Sequence, residues 1–350
     1  MVKVFIPPHD IHDLRYLPVL YPNFGAFINK KRLFADRGNR SMNVPVVEIV
    51  DNSAAADFLL LPYEYFDVLK KYPAYLKESL LLARNSGKKL LVFDLSDYTD
   101  IPIKLSDAWV FRIAEYASRP RSNVIVMPTF VEDLAQYSEI TWREKSERPV
   151  VGFCGWAGFR TLLDYIKFWL KNVLFNCRLL LSRDPAFAAR RSGMYFRIKT
   201  LAVLAKHAII KTNFLIRRSY SSHINTIERP AEELRREYIQ NITHSDLALA
   251  IRGDANISCR FFEILSLGRV PLFLNTNCVL PLADEIDYTK FVVFADHRDI
   301  QKLPEIAIKF WQETSTAEFI AMQKMAREMF EKYLQPSSFL AYVLPKLIGH

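Results

Sequence analysis

The chain has 350 residues, half of them hydrophobic, and a formal net charge of +9, which is too long for one small core and suits two α/β lobes of ordinary size. No apolar run reaches bilayer length without a Lys, Arg or His, and the opening MVKVFIPPHD lacks a basic stretch followed by an apolar one, so neither a membrane span nor a secretory signal is expected. A soluble or peripheral cytoplasmic protein is expected on that ground, and Cys154, Cys177, Cys259 and Cys278, widely spaced without a CxxC pair, argue against a disulfide framework or a zinc site.

In chain order, Lys3 to Ile6, Ala56 to Pro62 (ADFLLLP), Lys89 to Asp94 (KLLVFD) and Val124 to Met127 predict strands, with helical spacing from Tyr65 to Ser86. The polar stretch Thr141 to Pro149 reads as a linker, dividing the chain into domains 1–145 and 146–350. Beyond it, Val150 to Cys154 predicts a strand, Phe159 to Leu174 a helix and Arg178 to Leu181 a further strand. A basic, helix-like segment over 183–229 follows. Ala231 to Ile242 predicts a helix, Leu247 to Ile251 a strand, and Cys259 to Leu267 a helix that Gly268 can end in a left-handed cap. Val270 to Leu274 and Lys290 to Phe294 predict strands, with Pro271 better suited to a first or edge position. Pro304 to Tyr333 reads as one long helix.

Charge is concentrated. Between Arg178 and Arg229 eleven basic residues stand against two acidic ones, which points to an anionic partner, whether pyrophosphate, anionic lipid or nucleic acid, or else to a solvated face. Arg197, Lys199, Lys206 and Lys211 fall on different sides at helical spacing, so no clean membrane-lying helix is expected there, only loose peripheral attraction to an anionic membrane at its inner face.

In open parallel sheets, ligands bind beyond the carboxyl ends of the strands. The loop RGDANIS lies there: Gly253 permits a tight turn, and the amides opening the Cys259 helix face an anion with the favourable end of the helix dipole. Arg260 can add a charge-assisted contact to phosphate, and Glu263, one turn on, can accept two ribose hydroxyls. The alternative is an i,i+3 surface pair of Arg260 with Glu263 beside a core of Phe261, Phe262, Ile264 and Leu265.

The run Tyr238 to Phe294 resembles the C-terminal signature of exostosin-type glycosyltransferases, particularly bacterial members. Ser245-Asp246 leads into the strand, Arg252-Gly253 forms the loop, and Ser258-Cys259-Arg260-Phe261-Phe262-Glu263 opens the helix. Gly268-Arg269-Val270-Pro271, Leu280-Pro281 and Asp287-Tyr288 complete the pattern. Echoes upstream are weaker. The resemblance implies two Rossmann-like lobes of the GT-B type with an interdomain cleft: an acceptor-side N-terminal domain and a C-terminal domain that binds the nucleotide-sugar. It also implies inverting transfer from a nucleotide-diphosphate sugar, often a UDP-sugar, to a glycan or lipid-linked acceptor in polysaccharide synthesis. Glu263 takes the nucleoside-binding role by the same resemblance.

Inverting transfer needs a base for the acceptor hydroxyl and positive charge for the leaving diphosphate. Asp97, after the strand LLVFD, and His9, in the PPHD loop, both qualify as the base; each also reads as an ordinary loop residue. The chain has no Asp-x-Asp triplet, so no metal or other cofactor is expected, and Arg217, Arg218 and Arg252 join Arg260, Gly253, Ser258 and Glu263 as candidates for the donor site. The rival readings are a non-catalytic scaffold subunit and, less favoured, a nucleic-acid-binding protein using the basic segment, which no recognised nucleic-acid module surrounds.

Overall fold

The computed structural model describes residues 1–119, 122–184, 186–220 and 222–349. The basic segment 183–229 is thus described except at Pro185 and Ser221, which lie outside the described residues.

The N-terminal lobe contains β1 (Val2–Phe5), α1 (Tyr21–Phe24), α2 (Leu33–Arg40), β2 (Val47–Ile49), β3 (Phe58–Leu60), α3 (Tyr65–Lys71), α4 (Pro73–Asn85), β4 (Leu90–Asp94), β5 (Ala108–Arg112) and β6 (Val124–Val126). Its strands form one parallel sheet in the order β2-β1-β3-β4-β5-β6. Central strands read as continuous apolar runs because helices cover both faces, and β4, LLVFD, is buried throughout. Phe93 stacks on Phe111 of the neighbouring strand at 4.9 Å. The helical stretch after β3 is two helices: the chain leaves helical geometry at Tyr72, just before Pro73, as the residue ahead of a proline tends to do.

The C-terminal lobe contains β7 (Val150–Trp156), α5 (Leu162–Leu181), α6 (Gly193–Ala205), β8 (Lys211–Arg217), α7 (Ala231–Thr243), β9 (Leu247–Ala250), α8 (Cys259–Ser266), β10 (Val270–Asn275) and β11 (Val293–Asp296). The helices α9 (Leu303–Glu313), α10 (Thr316–Met329) and α11 (Pro336–Lys346) close the chain. Its parallel sheet has the order β11-β10-β9-β7-β8. Two parallel-sheet α/β lobes are therefore present, as expected.

Several sequence-based expectations are corrected. Arg178 to Leu181 is not a strand but the last turn of α5, which starts at a Thr161 cap accepting from the Asp164 amide at 3.1 Å. The stripe Phe168, Asn172, Phe175, Leu179 keeps helical spacing to its end. The basic segment is not helical throughout: after α6 it becomes β8, the edge strand of the second sheet, where Lys211 and Arg217 suit an unpaired rim. Pro271 sits in an interior strand, yet pairing of β10 with β11 begins only at Leu272. The strand expected at Lys290 begins at Val293. The single long helix is broken at Thr314, where Ser315 and Glu318 form a reciprocal capping box for α10.

The lobes are closely joined. On one side the Ala117 amide donates to Asn277 O at 2.8 Å and the Val279 amide to Glu115 O at 3.1 Å; on the other, Leu33 and Ile224 amides donate to Ser222 O and Lys31 O at 3.0 Å each. Helix α11 returns to the first sheet, packing Phe339, Leu340, Val343 and Leu344 with Val2, Val4, Phe58 and Leu91.

Gly268 has the expected left-handed φ of 58°, and a Cβ there would lie 2.8 Å from Trp142 Cζ3. Gly268→Ala is expected to destabilise the chain by about 1–3 kcal/mol, from the positive φ and the clash together, read as a shift in the urea unfolding midpoint.

Candidate functional site

The carboxyl ends of both sheets meet at the seam between the lobes. From the N-terminal side, the loop after β4 carries Asp97 to Thr99. From the C-terminal side, the loop Arg252 to Ser258 leads from β9 into α8. The two loops touch: the Asn256 amide donates to Thr99 Oγ1 at 3.1 Å, and the Ala255 amide lies close enough to Asp97 to favour its charged form. Asp97, though solvent-accessible, has its pKa raised from the ordinary value, first by partial desolvation at the seam and then by the Asp254 charge.

What holds the Asp97 loop is a buried network beneath it. Arg112 bonds Asp94 at 2.7 Å and Glu115 at 2.6 Å, all three nearly inaccessible, and donates to Tyr98 O at 3.1 Å. Asp94 is thus spent on structure. On the facing loop, Arg252 is buried and donates to Ala189 O at 2.9 Å, Asp254 O at 2.6 Å, and Asn256 Oδ1 and the Tyr116 hydroxyl at 3.2 Å each. Its donors serve the protein itself. The Gly253 amide donates to Ile257 O at 3.0 Å, closing the turn. Ser258 stands at the N-cap position of α8, buried, with no side-chain capping hydrogen bond among the described residues.

Arg260 projects from the first turn of α8 toward the end of β7. Its Nη2 donates to Cys154 O, its Nε to the Tyr238 hydroxyl at 3.3 Å, and its guanidinium lies 4.3 Å from the Phe153 ring centroid. Gly155 makes this approach feasible, because a Cβ there would lie 2.6 Å from Arg260 Nη2. Beside it stands Arg197 of α6, donating to Trp156 O at 3.2 Å. Burial, and then the neighbouring Arg260 charge, hold the Arg197 guanidinium down to about 10. Two guanidiniums that repel each other near a helix N-terminus form a pocket of positive potential suited to an anion. Arg197 escaped the sequence-based selection because it was one of eleven basic residues without distinguishing spacing.

Glu263 does not pair with Arg260 on the surface. It accepts from Arg235 Nη1 at 2.8 Å and from the Tyr238 hydroxyl at 2.6 Å, and Arg235 also bonds Glu132 at 2.6 Å. Burial opposes the Arg235 charge, but Glu263 and Glu132 outweigh it and raise its pKa. The Tyr238 hydroxyl, accepting from Arg260 and donating to Glu263, links the two motif residues. Arg217 bonds Glu237 at 2.6 Å, a carboxylate it shares with Arg229. Arg218 is exposed beside Gly158.

His9 sits apart from the arginines, with ring centroids of Tyr63, Tyr75 and Tyr16 at 5.2, 5.6 and 6.5 Å. Burial lowers its pKa, His12 adding to the effect. His12 is exposed and bonds Asp10 at 2.8 Å. Among the described residues no group of three or more His, Cys, Asp or Glu side chains is gathered for a metal ion.

A carboxylate that sequence reasoning passed over lies at the end of β3. Glu64 caps α3, accepting from the Asp67 amide at 3.0 Å, while its Oε1 is buried without a partner. Burial pushes this carboxyl up to about 8. The signal in the sequence was only an acidic residue just after an apolar run. The folded state therefore holds this proton more tightly than the unfolded chain, so the group's contribution falls as pH rises from about 4.5 to about 8. Glu64→Gln keeps the cap acceptor and removes the ionisation. The stability of the variant relative to the parent is expected to improve by about 1–3 kcal/mol between pH 4 and pH 9, measured by urea unfolding at both.

Comparison with known proteins agrees with the C-terminal motif. The Exostosin GT47 domain matches residues 187–310. Exostosin-1 of Drosophila melanogaster is 27% identical over 99 residues, covering 28% of this chain and 12% of the relative. Human Exostosin-like 1 is 30% identical over 104 residues, covering 30% of this chain and 14% of the relative. The matched stretch is thus a small part of those relatives' length. Among solved structures, Anabaena HepE in complex with UDP aligns over 99% of both chains at 10% identity and a TM-score of 0.41. Over residues 187–310, which include the loop, the paired arginines and Glu263, the chain is exostosin-like and matches the Exostosin GT47 domain.

Proposed function

We propose that the chain is an inverting glycosyltransferase that takes its sugar from a nucleotide-diphosphate donor, a UDP-sugar by family resemblance, and passes it to a glycan or lipid-linked acceptor in polysaccharide synthesis. The observation that carries this reading is the pairing of Arg197 with Arg260 at the N-terminus of α8, at the seam where Asp97 of the other lobe meets the same loop. The arginines and the helix amides hold the diphosphate and stabilise its charge as it leaves, without a metal. The free lone pairs of Glu263 accept the ribose hydroxyls, and Arg235 and Tyr238 fix its orientation.

Asp97 is the proposed base. Its raised proton affinity suits removal of the acceptor hydroxyl proton as that oxygen attacks the anomeric carbon and the bond to the diphosphate breaks. His9 is the alternative base, kept neutral by its burial among tyrosines. Arg252 and Gly253 shape the loop, and Ser258 has a hydroxyl available to phosphate. Arg217 and Arg218 lie at the far end of β8, adding to the positive field. A cytoplasmic setting at the inner face of a membrane fits a lipid-linked acceptor.

Calorimetric titration with UDP, GDP, ADP and CMP, with and without divalent metal, tests the donor site. One nucleotide is expected to bind without metal, and Arg260→Ala to weaken it about 10–100-fold, the loss of one charge-assisted contact. Glu263→Ala is expected to weaken it with the fold retained. If both variants bind like the parent, the assignment is wrong; if the parent binds none of the four, the scaffold reading gains. Asp97→Asn should keep nucleotide affinity and lose transfer by two or more orders of magnitude, roughly the share of a general base. Transfer that survives in this variant but fails in His9→Ala would move the base to His9.

A further inference from the structure

Helix α5 is held to its lobe by a narrow stripe. Phe168, Trp169, Asn172, Phe175 and Leu179 face the protein; Phe175 stacks on Phe187 at 5.1 Å, and Arg191 bonds Asn172. The opposite side is open. At about 100° per residue, Leu163, Ile166, Leu170, Val173, Leu174 and Leu181 share one arc, and all are exposed, Leu181 to 85%. Along one border of that arc run Lys167, Lys171 and Arg178, the first two one turn apart and the third about two turns further on. A continuous apolar strip of this kind is not left bare to water on a folded chain without a use.

We propose that α5 is a membrane-docking helix, lying in the headgroup boundary of a bilayer that contains anionic phospholipid. The apolar arc enters the acyl region and the Lys167, Lys171 and Arg178 row meets the phosphates. The helix lies on the surface rather than crossing it: no described helix is long and apolar enough to span a membrane. Charge favours lipid over a second copy of this chain. Two copies pairing antiparallel by this arc would bring two basic rows together, with only Asp164 on each helix to offset them, whereas anionic headgroups complement the row directly. The proposal is independent of the transferase reading.

Flotation of the full chain with phosphatidylcholine vesicles, with and without roughly one-third phosphatidylglycerol, tests it. The parent is expected to float with the anionic vesicles, more weakly as salt rises. The triple variant Leu163→Asp, Leu170→Asp, Leu174→Asp is expected to lose about tenfold or more in partition. The variant Lys167→Glu, Lys171→Glu, Arg178→Glu is expected to lose its preference for anionic lipid. Thermal melting and nucleotide titration of both variants, expected to match the parent, separate this result from misfolding and from failure of the donor site. A parent that stays with the soluble fraction, or an apolar-arc variant that floats like the parent, overturns the proposal. So does a parent dimer that the aspartate substitutions convert to monomer, which would make a second copy the occupant of the arc.

Discussion

The seam between the lobes depends on the burial of one guanidinium, that of Arg252. A buried arginine persists only if its donors are met, and here the acceptors come from three places: the loop itself, Ala189 ahead of α6, and Tyr116 of the other lobe. Meeting them fixes the loop into α8 and brings the N-terminal lobe and the start of α6 against it. That same placement sets Arg197 beside Arg260. An arginine that reads in sequence as a ligand contact thus organises the loop from within, while the neighbouring pair, Arg197 and Arg260, has no carboxylate partner among the described residues.

The charges around the seam divide by environment. Arg112, Arg235 and Arg217 each have carboxylates at hydrogen-bond distance, so most of the positive charge nearby is locally neutralised. Arg197 and Arg260 are bonded instead to backbone carbonyls and a tyrosine. Carbonyl dipoles orient a guanidinium without cancelling its charge, which is why the pair leaves a net field while its neighbours do not. The carboxyls on the facing edge behave conversely: burial raises Glu64 to about 8, and partial desolvation raises Asp97, which stays solvent-accessible.

Several elements were legible because they depend on local pattern. ADFLLLP, KLLVFD and LALAI each carry a continuous apolar run of strand length, and each run contains a buried interior strand. Gly268 could end its helix because only glycine takes a left-handed φ freely. Misreadings arose where the pattern was ambiguous over a few residues. Arg178 to Leu181 has the composition of a strand, but a helix already under way propagates more cheaply than a new element starts. The strands Val47–Ile49 and Ala108–Arg112 escaped notice; three residues carry little periodicity, and AWVFR ends in an arginine whose burial requires Asp94 and Glu115.

The sequence by itself determined two α/β halves, the loop-to-helix motif and its candidate ligand residues, because strand runs, caps and motif spacing are short-range properties. Only the tertiary structure decided which of those residues keep their charge for a ligand. Arg252 and Arg217 are satisfied by partners 63 and 136, and 20, positions away in sequence, and Arg197 meets Arg260 from a separate helix. It also decided that α5 keeps an apolar arc uncovered, since exposure depends on what packs against a helix. A side chain's type fixes what it can bind; whether it is free to do so depends on neighbours that folding brings from elsewhere in the chain.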